Sequence, residues 1–302
     1  MRKPKVLVLM ATYNGEKYLP EQIDSILAQK DVDIFIKVSD DRSTDNTQKI
    51  LQSYKEKFSN FDYQINEKNK GFAYNFLDLY FSANDFDFDY CAFADQDDFW
   101  LENKMIEAIK LIDKNDSEKG CFYCSNLKLA DENLKEYGMQ EDKSVLRGKK
   151  YSFLVANIAT GCTTVINRKF YNQSLKYRPE HIALHDYWLF LVAVFTANYV
   201  YDFNGYILYR QHSNNQIGSN KKFFTKFKWQ HFMHPKYSTT TLLKELIKGY
   251  ESELDPVDLK YIKTAAFYRD GFGKKMKLLF SHKIRRRKYN FLFKIKVLLN
   301  KF

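Results

Sequence analysis

KVLVLM, residues 5–10, is an apolar run without alternation. It predicts a strand buried on both faces, as in a parallel sheet. The polar stretch ATYNGEKYLPEQ follows as a turn. Leu19, Ile23, Ile26 and Leu27 then recur at helical spacing, with Pro20 tolerated in the first turn. IFIKVS predicts a second strand that ends at Asp40 and Asp41. Ser43 to Thr47 carries the capping side chains and early acid of a helix start, and Ile50, Leu51, Tyr54 and Phe58 continue that helix. A third strand near 62–65 leads through a turn, Asn66 to Gly71, into a helix with Phe72, Phe76, Leu77 and Tyr80. A fourth strand over 88–94 precedes a helix with Met105, Ile106, Ile109 and Ile112.

Strands alternating with helices predict an α/β fold, a mostly parallel sheet between helices. In such sheets ligands bind beyond the carboxyl ends of the strands. Three polar clusters fall there: Thr12-Tyr13-Asn14, Asp40-Asp41, and Asp95, Asp97 and Asp98 within FADQDDFW. They are expected to converge on one edge. After residue 120 the pattern loosens. CFYCSNLKL suggests a strand, 131–150 a polar loop region and YWLFLVAVF a helix, and further helical stretches lie near 239–250 and 256–269. There is no internal repeat and no low-complexity linker.

The length of 302 residues allows one large domain, or a domain with an appendage, and 45% hydrophobic residues predict a folded globular chain. No stretch reaches the roughly 18 apolar residues of a spanning helix. LVLMA is too short for a signal peptide, so a reduced, cytosolic setting is expected for the four cysteines. Cys121 and Cys124 form a CxxC, but no second pair follows, and the segment reads as a buried strand rather than a redox or zinc site. Charge divides the chain. Residues 220–302 hold 21 Lys and Arg against 6 Asp and Glu, a net of +15, whereas residues 1–219 hold 27 against 31, a net of −4. A near-neutral body with a basic C-terminal region points to an anionic partner for that region.

The polar clusters suit particular chemistry. Asp95 and Asp97 have DxD spacing, and a loop after a strand can aim both at one hard cation, Mg²⁺ or Mn²⁺, shared with substrate phosphates. The cation would relieve the repulsion among three close carboxylates. The plainer reading is a solvated acidic turn with Asp98 capping the next helix. A carboxylate of the Asp40-Asp41 pair can accept the imide hydrogen of uracil or thymine, or can simply form the turn. Asp186, beside Tyr187 and Trp188, suits a general base whose pKa is raised by its apolar setting, or an N-cap. Arg210 suits phosphate, and His212 suits the cation or a structural place.

Taken in order, MATYNGEKYLPEQIDSILAQ, SDDRSTDNT, NEKNKGFAYNF, FADQDDFW, TGCTTVIN, HDYW and YRQHSNNQIG resemble the family 2 glycosyltransferases with the GT-A fold, and among them bacterial rhamnosyltransferase-like members. The resemblance covers about residues 4–219. It implies a Rossmann-like GT-A domain over 1–219, followed by a basic, aromatic, mainly helical region over 220–302. It implies inverting transfer from a nucleoside diphosphate sugar, with dTDP-rhamnose the first expectation, to a saccharide acceptor, helped by Mg²⁺ or Mn²⁺. By position, Thr12, Tyr13 and Asn14 would line the nucleoside pocket and Asp41 would read the base. Asp95 and Asp97 would hold metal and diphosphate. Asp186 would be the base, preceded here by His185 where many members have Glu. Arg210 and His212 would belong to a loop over the donor. The QxxRW signature of processive synthases is missing, so one sugar is expected per encounter.

A UDP-hexose transferase of the same fold is the alternative. A nucleotidyltransferase would want a glycine-rich, basic first loop, which ATYNGEKY is not. A nucleic-acid module would have no use for the DxD and base. Residues 271–302 contain no acid, and their apolar residues are set among Lys and Arg. This predicts association with an anionic membrane surface on the cytoplasmic face, suited to a lipid-linked acceptor. A solvated basic helix is the plain alternative, and no nucleic-acid partner is expected.

Overall fold

The computed structural model describes residues 2–141, 150–212, 238–283 and 287–302. These form two compact units that interleave along the chain. The first takes residues 2–141, 159–175 and 197–212, and the described part of the second takes 150–158, 176–196, 238–283 and 287–302.

In the first unit the elements run β1 Lys5–Thr12, α1 Leu19–Leu27, β2 Asp33–Asp40, α2 Thr47–Lys57, β3 Phe61–Ile65, α3 Phe72–Phe81, β4 Tyr90–Ala94, β5 Phe99–Trp100, α4 Lys104–Lys114, β6 Cys121–Ala130, β7 Glu136–Met139, β8 Val165–Asn167, α5 Arg168–Ser174 and, after the second unit's α6 His185–Thr196, β9 Asn198–Arg210. The strands make one sheet in the order β3-β2-β1-β4-β8-β6-β9-β5, with β7 on β6. β3, β2, β1 and β4 are parallel, and β6 and β9 are parallel; β8 is antiparallel to both its neighbours. Thr12 pairs with Asp40 and Met10 with Ala94, so the polar residues after β1, β2 and β4 leave the sheet side by side. The core is the one the apolar runs predict. Val6, Val8, Met10, Ile36, Val38, Ala92 and Ala94 pack with Leu19, Ile23 and Ile26 of α1 and Met105, Ile109 and Ile112 of α4. All four cysteines are free and buried, as the strand reading of the CxxC requires.

β5 differs from expectation. The sequence runs from the aspartates towards a helix, but Phe99 and Trp100 pair with Leu208 and Ile207 of β9 before α4 begins. Asp98 therefore caps no helix. A two-residue strand has no periodicity to read, and its partner is more than a hundred residues away.

The second unit is built on α6, in which every residue except Tyr187 is buried. With it go α7 Thr239–Tyr250, α8 Pro256–Ala266, α9 Phe272–Leu279 and α10 Arg287–Leu298. Ser238 caps α7, accepting from the Thr241 N–H. Asp255 caps α8, and Pro256 fills the first turn. Trp188 of α6 lies 6.1 Å from Tyr250, ring to ring. Tyr177 donates to Glu245 at 2.7 Å. Asp258 accepts from Tyr151 at 2.6 Å and from Lys150. Helix α7, from the region after residue 219, thus packs with the helix that carries Asp186.

Candidate active site

Asp40 and Asp41 are both buried, and the turn chemistry around them explains why. Asp40 accepts from Thr12 Oγ1 at 2.9 Å, from the Ser43 N–H at 2.9 Å and from Ser43 Oγ. It ties the end of β1 to the start of the next loop. Asp41 accepts from the backbone N–H groups of Lys70 and Gly71, each at 2.8 Å, and from Asn66 Nδ2 at 3.0 Å. Gly71 has φ +75°, the left-handed region that favours glycine, and this lets successive N–H groups turn towards one carboxylate. Asn14, also left-handed at φ 50°, donates its N–H to Ser43 Oγ and accepts from the Thr44 N–H, both at 2.8 Å. Tyr13 remains 42% exposed.

The DQD loop is latched onto this turn by its middle residue. Gln96 Oε1 accepts from the Tyr13 N–H at 2.8 Å, and its Nε2 donates to the Tyr13 carbonyl at 3.1 Å. A Cβ on Gly15 would stand 2.4 Å from Gln96 Oε1, so the latch needs glycine there. On the other side Asp97 Oδ2 lies 2.8 Å from His212 Nε2. Arg210 is buried. Its N–H donates to Asp98 Oδ1 at 3.2 Å and its Nε to the Asp97 carbonyl at 2.9 Å, and its terminal nitrogens reach the Glu132 carbonyl and the Glu21 carboxylate. The Tyr18 ring has His212 at 4.8 Å and the Arg210 guanidinium at 4.4 Å. The structure thus brings Thr12, Tyr13, Asn14, Asp41, Asp95, Asp97, Arg210 and His212 together at one edge of the sheet, in the first unit.

Burial pushes the Asp98 carboxyl well above the usual carboxylate range, and the charges of Asp97 and Asp95 push it further. Behind it, burial drives the Lys104 ammonium down to about 7; its Nζ sits 3.5 Å from the centre of the Trp100 ring. Ligand atoms of Asp95, Asp98 and Cys162 lie within 4.8 Å of one another. That trio suits Mg²⁺ or Mn²⁺ poorly, because one member is a thiol whose pKa burial raises. Asp95, Asp97 and His212 offer two carboxylates and an imidazole, a donor set that fits Mn²⁺ well and Mg²⁺ through its oxygens.

The profile of "Glycosyl transferase family 2" matches residues 7–195. The chain belongs to that family. It is 34% identical over 233 residues to the dTDP-rhamnosyl transferase RfbG of Shigella flexneri, covering 72% of this chain and 77% of that one. It is 26% identical to an uncharacterized glycosyltransferase of Rickettsia typhi, with 86% of each chain covered. Among solved structures, S. aureus TarS 1-349 in complex with UDP-GlcNAc is similar at TM-score 0.60 and 16% identity, over 97% of this chain and 81% of that one. The mannosyltransferase PcManGT from Pyrobaculum calidifontis, in complex with GDP-Man and Mn²⁺, is similar at TM-score 0.59 and 14% identity, over 99% and 87%. These likenesses establish the GT-A fold.

In this family 2 glycosyltransferase Asp186 lies in the second unit. It is the second residue of α6, inside the first turn rather than at the cap, where its charge meets the positive end of the helix dipole. Its Oδ1 accepts from the Tyr187 N–H at 2.5 Å and from Asn157 Nδ2 at 3.3 Å. Burial lowers the His185 imidazole to about 3, so this ring is neutral at physiological pH. The polar run SNNQIGSN after His212 begins outside the described residues.

Sequence reasoning passed over Gln96, Tyr18, Asn66 and Asn157. Only Gln96 carries a signal: it is the middle residue of the DxD, and an amide there can bridge a backbone N–H and C=O together.

Proposed function

We propose that this family 2 glycosyltransferase transfers a single sugar from a nucleoside diphosphate donor to a saccharide hydroxyl, with inversion, and that the donor is dTDP-rhamnose. The observation that carries the reading is the DQD loop, held between the Tyr13 turn by Gln96 and the end of β9 by the Asp97–His212 pair. The 34% identity to a dTDP-rhamnosyl transferase supports the choice of sugar.

Thr12, Tyr13 and Asn14 line the nucleoside side, and the exposed Tyr13 ring offers a stacking face. Asp41 already accepts three internal donors. A carboxylate has roughly four acceptor positions, which leaves one for the imide N–H of thymine or uracil. Asp95, Asp97 and His212 would hold Mg²⁺ or Mn²⁺, which when bound supplies positive charge to the departing diphosphate. Arg210 sets the backbone of Asp97 and the carboxylate of Asp98, and adds its charge close to the same loop. Asp186 takes the acceptor proton as the acceptor oxygen bonds the anomeric carbon. The bond from that carbon to the diphosphate breaks, and dTDP leaves. One displacement inverts the centre with no covalent enzyme intermediate, and positioning with charge stabilisation supplies the rate. A UDP-hexose donor is the second reading. The enzyme would work on the cytoplasmic face of the membrane, on a lipid-linked acceptor, in cell-surface polysaccharide synthesis.

Thermal unfolding in the presence of Mn²⁺ with dTDP, UDP, GDP or CDP tests the donor site. A ligand at 100 times its Kd stabilises by about 2.7 kcal/mol. Protection by dTDP above CDP and GDP, followed by transfer from dTDP-rhamnose with an inverted product, is expected. Equal protection by CDP would remove the base-reading role of Asp41.

A further inference from the structure

The C-terminal helices expose large apolar side chains that their own packing leaves out. Among the described residues, ten large hydrophobics stand exposed, and five of them lie between 272 and 299: Phe272 at 79%, Phe280 at 69%, Phe291 at 68%, Leu298 at 56% and Leu299 at 61%. Residues 272–302 also bury Leu278, Phe293, Val297 and Phe302. In α10 the two sets occupy different faces. Phe293 and Val297, four apart, form the buried stripe. Phe291 and Leu298, seven apart, form a second stripe roughly 100–160° away. A helix that serves only to close a domain needs one apolar stripe, not two.

Charge indicates what covers the second stripe. Residues 271–302 contain 11 Lys and Arg and no Asp or Glu. Lys275 is spent on the Leu298 carbonyl and Asn300 at 2.9 and 3.0 Å, and burial lowers the Lys296 ammonium. Lys274, Lys277 and Lys283 share the stretch of chain that carries Phe272 and Phe280; Lys274 lies over the Phe267 ring, and Lys283 leans on Tyr151 and Tyr261. A second copy of this chain would bring like charge against like. Nucleic acid would satisfy the charge but has no use for the adjacent pair Leu298-Leu299, which cannot stack on bases.

We propose that Phe272, Phe280, Phe291, Leu298 and Leu299, with the lysines around them, form the docking surface for an anionic lipid membrane. The apolar tips enter the boundary between headgroups and acyl chains, and the lysines meet the anionic headgroups. This deepens the proposed function by assigning the surface to particular residues, and it rests on that reading only for the purpose it gives the contact. The buried members of the tail are its foundation, so deleting the tail would damage the unit that holds Asp186.

The test uses the full chain and the variant Phe280→Ser/Phe291→Ser/Leu298→Ser, whose sites are all exposed. Flotation is measured with vesicles of phosphatidylcholine and phosphatidylglycerol, and with phosphatidylcholine alone. The parent should float with the anionic vesicles at low salt, lose this at high salt, and not float with phosphatidylcholine alone. The triple variant should bind at least about tenfold more weakly, with unchanged thermal unfolding. Equal flotation of parent and variant would overturn the surface. So would parent flotation on both vesicle types alike, on neither, or a gel shift with nucleic acid in place of vesicle binding. If the variant unfolds, Lys274→Glu/Lys277→Glu serves instead, and unchanged flotation of that variant would overturn the proposal equally. Protection by dTDP with Mn²⁺, measured on the same proteins, reports the donor site separately, so its failure leaves the lipid result standing.

Discussion

His212 Nε2 lies 2.8 Å from Asp97 Oδ2, joining the end of β9 to the loop after β4. Two segments 115 residues apart in sequence meet at the carboxylate expected to hold the cation. Asp97→Asn keeps the shape of the side chain and removes its charge. Transfer should fall to background while thermal unfolding in the absence of metal changes little. EDTA should abolish activity in the parent, and Mn²⁺ or Mg²⁺ should restore it; full activity in EDTA would exclude the cation.

The Gln96 latch predicts a different phenotype. Gln96→Ala frees the DQD loop from the Tyr13 turn without touching the metal carboxylates. Loss of two neutral hydrogen bonds costs about 1–3 kcal/mol, part of it in the loop's position. The Kd for dTDP with Mn²⁺, read by calorimetry, should rise roughly tenfold or more. Gly15→Ala should weaken binding similarly, because its Cβ would collide with Gln96. Unchanged affinity in both would show that the latch is ornamental to the site.

Asp186→Asn should lower kcat by roughly 10² to 10⁴ and leave donor affinity nearly unchanged. Asn157→Ala removes the side-chain donor 3.3 Å from its Oδ1. It should shift the acid limb of the kcat–pH profile upward, since a lost donor to the charged form makes the carboxylate easier to protonate. A fall in kcat with no shift of the limb would make Asn157 a packing residue only.

Lys104 gives the fold a pH dependence of known sign. Its folded pKa is about 7, against the ordinary 10.5. Between those values the unfolded chain binds the extra proton, so this residue's penalty is full below about pH 7 and is relieved as pH rises towards 10.5. At about 1.4 kcal/mol per pKa unit, the change amounts to a few kcal/mol. Lys104→Met should raise the free energy of unfolding near neutral pH and flatten its rise towards alkaline pH. Denaturant titrations at about pH 7 and about pH 10 will show whether the slope depends on this side chain.

Much of this was readable in the chain because of the kind of signal involved. β1, β2 and β4 announce themselves by short apolar runs, α1 and α4 by apolar residues at helical spacing, and the carboxyl-end rule then places Thr12, Asp40 and Asp97 at one edge. What could not be read is fixed by distant partners. β5 exists because Leu208 and Ile207 are there to pair with Phe99 and Trp100. Tyr18 gains its place between His212 and Arg210 only once the sheet is closed. Nothing local in HDYWLFLVAVF says that Tyr250 and Glu245 will pack on its side of the molecule.

That last packing bears on how the protein is made. On the ribosome, the segment with every recognisable motif emerges well before residues 239–250. Until then Trp188 lacks its Tyr250 neighbour, and Tyr177 lacks the Glu245 carboxylate. Late synthesis of a helical region without motifs therefore completes the seat of the candidate base. A gene cut after the final motif would encode all the candidate chemistry, yet yield a polypeptide with an uncovered greasy helix and a poorly held Asp186.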